Sequence, residues 1–168
     1  MEDALQLVVE MNQCIWDGFR GDLKDVTPEE ADWRPLPQAN SINLILRHLR
    51  IEATSHLANL QHGAPSLQQP AEAIPLDFER NVKELEELFI GFIGALRRTT
   101  LAEIRRQTAV AYQNSPADRG APPPHFLAFH QALHLAMHWG QIRTLRNLYR
   151  KTRGEPARFF PVNPNFPT

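Results

Sequence analysis

A chain of 168 residues, 42% hydrophobic and 22% charged, is long enough for one domain around one core and too short to expect two. Its net charge of -1 argues against a surface built to wrap nucleic acid or dock on anionic lipid. No apolar run approaches the ~20 residues of a membrane-spanning helix, and the single cysteine, Cys14, excludes an internal disulfide and cysteine-based metal clusters.

Helical periodicity dominates, with no convincing period-two alternation, so the predicted class is all-α. The first helix is expected from about Glu2 to Phe19, ended by Gly18 and Gly21. Cys14 falls within its apolar stripe of Leu5, Val8, Val9, Ile15, Trp16 and Phe19, which predicts a buried small hydrophobe rather than a nucleophile. Thr27-Pro28-Glu29-Glu30 is a well-formed helix start: a capping threonine, proline at the first position and glutamate at the third. The helix it opens must be short, because Trp33-Arg34-Pro35-Leu36-Pro37 breaks it.

A second long helix starts after Asn40 or Ser41, buries Ile42, Ile45, Leu46, Leu49, Ala53, Leu57 and Leu60, and closes at Gly63 and Pro65. Residues 66–75 read as a loop. The third long helix runs from about Leu76 to Arg98. Thr100 and Glu103 then form a capping box for a short helix through Arg105-Arg106. A loop from Asn114 to Pro124 leads to the fourth long helix, which ends near Lys151, with Gly154 and Pro156 beyond it. Four long amphipathic helices plus short ones predict a four-helix bundle over residues 1–154. Residues 155–168 form a Pro/Phe-rich tail, expected to pack on or beside the bundle.

The histidines carry the chemistry. Of seven, three recur at four-residue steps on the last helix, His130, His134 and His138. Residues i and i+4 share a helical face, so a pair can grip one ion. All three cannot share it, since His130 and His138 are about 12 Å apart along the axis. The choice lies between His130/His134 and His134/His138, and a third ligand must come from another helix. On the second helix His48 sits among Leu44, Ile45, Leu46, Leu49 and Ile51, with Glu52 and His56 following at four-residue steps. Facing polar seams of this kind build metal sites in helical bundles. His62 and His125, near helix ends, read as ordinary surface or hydrogen-bonded histidines.

Two motifs also resemble a known family. Asn40-Ser41-Ile42-Asn43-Leu44-Ile45-Leu46-Arg47-His48-Leu49, preceded by Trp33-Arg34-Pro35, is similar to the start of the second helix in the DinB/YfiT-like family. His134-Leu135-Ala136-Met137-His138-Trp139-Gly140-Gln141-Ile142 resembles that family's histidine pair followed by Gly-Gln-Ile. The resemblance implies a DinB/YfiT-like four-helix bundle, frequently a homodimer, with a divalent metal on three histidines. Carried onto this chain, the ligands are His48, His134 and His138. Some relatives that use the thiol mycothiol have a glutamate where this chain has His134.

Three neutral imidazoles leave at least one position open, which suits water or substrate rather than a closed structural site. The ion expected is zinc or nickel, with iron as a further fit to imidazole donors. The open site leaves water or thiol activation as expectations, and the resemblance favours the second: a metal-dependent enzyme acting on a small-molecule substrate, of thiol S-transferase or hydrolase type, with a low-molecular-weight thiol as co-substrate. The alternative is a non-catalytic metal-binding or stress-associated protein whose metal is structural or regulatory. Glu52, His130 and Gln141 are the expected supporting residues, as general base or as partners of the ligands. Gly140 is expected to permit close helix approach. The acidic N-terminus, with neither the basic start nor the apolar run of a secretory signal, points to the cytoplasm, without nucleic-acid or membrane partners.

Overall fold

The start signals read from the sequence cap real helices in the computed structural model, which describes residues 2–62, 70–112, 122–123 and 125–159. In chain order these helices are α1 (Glu2–Leu23), α2 (Pro28–Asp32), α3 (Ile42–His62), α4 (Phe78–Arg98), α5 (Leu101–Ala111) and α6 (Phe126–Thr152). No strand occurs among the described residues, and the chain is all-α. The caps are side-chain oxygens that accept from otherwise orphaned backbone N–H groups. Thr27 accepts from Glu30 at 3.2 Å, Ser41 from Leu44 at 3.2 Å, Asp77 from Arg80 at 3.0 Å and Thr100 from Glu103 at 3.2 Å. No described helix is long and apolar enough to cross a membrane.

Several boundaries differ from expectation. α1 does not stop at its glycines but continues to Leu23, because Gly18 serves packing rather than termination. A Cβ there would lie 2.3 Å from the indole of Trp139, so only glycine lets α6 seat its tryptophan on α1. Gly140, by contrast, faces open space and does not mediate a close helix approach. Cys14 is exposed, not buried. It precedes the buried Trp16 by two residues, about 200° around the helix, which puts it on the opposite face. α5 runs past Arg105-Arg106 to Ala111, burying Ile104, Gln107 and Thr108. A 3-10 turn at Ala71–Ala73 interrupts the expected loop over residues 66–75. The expected stops Gly63 and Pro65, most of the loop from Asn114 to Pro124, and the tail beyond Phe159 lie outside the described residues.

Cross-helix contacts fix the topology. Asn12 of α1 reaches the carbonyl of Ala128 in α6, and Asp22 reaches Arg143 further on, so α1 and α6 run parallel. Trp16 stacks on Phe89 and Arg20 pairs with Glu86, so α1 and α4 run antiparallel. Arg50 meets Asn81 and Glu84, and Leu57 abuts Gly91, which makes α3 and α4 parallel. His48 faces His134 while His56 faces His130, so α3 and α6 are antiparallel. A parallel α3–α4 pair forces the intervening chain to travel back along the bundle before α4 begins. Phe19, Leu46, Leu49, Phe89, Phe92, Leu96, Ile104 and Ile142 fill the shared core. Each such fully buried side chain contributes about 1.5–3 kcal/mol over exposure.

One buried ion pair ties the short α2 to α6. Glu30, the glutamate at the third position of that start signal, accepts from Arg146 Nε at 2.7 Å. Arg146 is 2% exposed, and Asp25 pairs with it as well. Past α6, Phe159 is buried with its backbone held by Asn147, so the described start of the tail packs on the bundle.

Candidate metal centre

Because α3 and α6 are antiparallel, the i, i+4, i+8 histidine seam of one meets that of the other in reverse order. His134 Nε2 lies 3.1 Å from His48 Nε2 and 3.0 Å from His138 Nε2. The ligand atoms of these three residues all lie within 4.8 Å of one another, and they form the one such group of three among the described residues. His48 is exposed, His134 half-buried and His138 buried, so the cluster opens outward on the α3 side.

The hydrogen bonds around the cluster set which nitrogen carries the proton. His138 Nδ1–H donates to Gln141 Oε1 at 2.7 Å, which leaves the His138 Nε2 lone pair facing the other two rings. A neutral imidazole has a single N–H, so one hydrogen cannot satisfy both close contacts of His134 Nε2. Protonating the cluster fails too. Burial first, then the neighbouring His138, His48, His130 and His56, lower the His134 pKa to about 3. Burial also lowers His138, with His48 adding to the shift while Gln141 and Glu52 oppose it. The His134 and His138 rings are therefore neutral, the form that ligates metal.

A divalent cation resolves what protons cannot. Three imidazole nitrogens held tetrahedrally at ~2.1 Å from one ion are separated by about 3.4 Å, close to the observed spacing. The donor set, three imidazole nitrogens with an outward opening, fits zinc-like or nickel-like ions.

The other expected residues lie around the cluster. Gln141 orients His138, as described. His130 stands outside the group of three: its ring stacks on His134, centroids 5.6 Å apart and planes 13° apart. Its Nδ1 is 2.7 Å from His56 Nε2, and His56 Nδ1 is 2.6 Å from Gln131 Oε1. With the Gln131 oxygen accepting from His56, that ring accepts in turn from His130, and the pair is satisfied without a cation. Burial and the adjacent His56 lower His130 to about 4. Glu52 also lies outside the group of three; it is half-buried, and its charge raises the pKa of both His56 and His138. His56 and Gln131 were not among the expected supporting residues, although the i+8 spacing of His56 from His48 was the available signal. A cavity of about 350 Å³ adjoins His48 and His138.

The family described as the DinB superfamily matches residues 15–142, a span that contains all three histidines and Gln141. No curated protein and no solved structure matches the chain. An all-α bundle with both histidine motifs inside a match over most of its length leads to one assignment: the chain belongs to the DinB superfamily.

Proposed function

We propose that this chain is a metal-dependent enzyme of thiol S-transferase type, with hydrolysis as the nearest variant, built on His48, His134 and His138. The observation that carries the reading is the convergence of three Nε2 atoms at 3.0–3.1 Å, which the available protons cannot satisfy. A bound zinc or nickel ion would stabilise a thiolate or hydroxide at neutral pH. The chain's own residues do the rest. Gln141 keeps His138 in the tautomer that presents Nε2, and His130 holds the ring plane of His134 by stacking. Glu52, the carboxylate whose field reaches His138, is our choice for taking the proton released by the thiol. The sulfur then bonds to an electrophilic carbon, whose leaving group departs with the electron pair. The cavity beside His48 and His138 admits a small-molecule substrate.

Tag-free protein loaded with zinc, nickel or iron should conjugate a low-molecular-weight thiol to monochlorobimane faster than the metal-free protein does. Absence of turnover across several thiols and all three metals overturns the enzymatic reading. If chelation then lowers the melting temperature strongly, the metal is structural instead.

A further inference from the structure

The cavity beside the histidine cluster has one unusual wall. Leu44, Arg47, His48 and Ile51 recur at i, i+3, i+4 and i+7, so one face of α3 presents two aliphatic residues, a cation and a cluster histidine together. Ala71, on the chain returning from α3 to α4, closes the opposite side, and His138 reaches in from α6. Among the described residues that line the cavity none is acidic.

Arg47 is the exception among the enclosed arginines. Each of the others that is not exposed meets a carboxylate: Arg50 with Glu84, Arg143 with Asp22, Arg146 with Glu30 and Arg150 with Glu155. Arg47 is half-buried and has no ion pair or hydrogen bond with any described residue. A guanidinium is charged at every physiological pH and offers a planar fork of donors that matches a carboxylate. Among the described residues its guanidinium meets no carboxylate, so an anion bound in the cavity would gain a charge-assisted contact there.

We propose that the cavity selects small anionic substrates: a carboxylate on Arg47, an apolar spine along Leu44 and Ile51, and the reacting end at the Nε2 cluster. The volume of about 350 Å³ is at the lower end for small-molecule pockets, so the ligand is compact. This inference rests on the metal-dependent reading above and adds the substrate class.

The test uses the full chain loaded with cobalt(II), whose absorption reports both the loaded site and a sulfur–cobalt band when a thiol binds. The probes are mercaptohexanoate and its uncharged amide, mercaptohexanamide, titrated against the parent, Arg47→Gln and Arg47→Lys. The parent should bind the acid about tenfold tighter than the amide, as one charge-assisted contact allows. Arg47→Gln should bind both alike with undiminished cobalt content, and Arg47→Lys should recover part of the preference. Equal binding of acid and amide by the parent, or a preference that survives in Arg47→Gln, overturns this inference and leaves the metal site standing. A cobalt spectrum without a sulfur band for either probe overturns the thiol reading and this inference together. Failure to take up cobalt overturns the metal site itself.

Discussion

Two histidine groups share the same pair of helices, about two turns apart on α3 and one turn apart on α6, and differ in how their nitrogens are satisfied. In the His56–His130 pair every close contact has a donor and an acceptor, because Gln131 supplies the oxygen that sets the tautomers. In the His48–His134–His138 group the corresponding amide, Gln141, turns the His138 lone pair inward instead, onto His134 Nε2, which also meets His48 Nε2 and cannot satisfy both contacts with one hydrogen. Both groups contain an α3–α6 histidine contact, and in both a glutamine of α6 is hydrogen-bonded to a histidine. Spacing therefore does not separate a ligand set from a hydrogen-bonded pair; the direction in which each ring is forced to point its lone pair does.

The sharpest way to break that contrast is to remove one ring from each group. His134→Ala should abolish stoichiometric metal in tag-free protein measured by plasma mass spectrometry, whereas His130→Ala should keep the parental stoichiometry. Equal metal loss in both variants would merge the two groups into one site. A smaller effect is expected from the amides. Gln141→Ala should weaken metal affinity by about 10–100-fold in competition with a chromogenic chelator, the usual cost of losing a ligand's orienting partner. Gln131→Ala should leave that affinity near the parent value.

The smallest effect is on pH dependence in the metal-free protein. His134 falls from 6.5 to about 3 and His130 from 6.5 to about 4, so folding favours the neutral rings. The unfolded chain takes up protons first as pH falls through 6.5, so stability is fully present above that value and declines on the acid side. Urea midpoints from about pH 7.5 to about pH 4.5 should therefore fall, and His134→Gln should flatten the slope more than His130→Gln does. A midpoint independent of pH in the parent would mean that the rings titrate in the folded chain much as they do in the unfolded one.

Much of the bundle was legible because helix starts are local events. Thr27, Ser41 and Thr100 cap the helices they were expected to cap, each through a side chain three residues from its donor. The four long helices were visible from periodicity for the same reason. What was not legible depends on partners far away in sequence. Gly18 looked like a stop signal and is a seat for Trp139. Glu30 looked like part of a local start signal and is also the counter-ion of Arg146. The parallel pairing of α3 with α4 has no local signature at all. In the candidate site, geometry alone left two histidine pairs open, and family likeness pointed to His134 with His138. The structure brings those two together with His48, while His130 turns to His56, a residue whose spacing was seen but whose partner was not.

The antiparallel meeting of α3 and α6 joins His48 to His134 across 86 residues. A growing polypeptide emerging from the ribosome exposes His48 long before α6 exists, so it offers a passing ion one donor and no grip. If the proposed site takes a metal, its three donors come together only once α6 has docked on α3. A truncated chain ending before α6 would then lack two of the three donors, and should bind no stoichiometric metal.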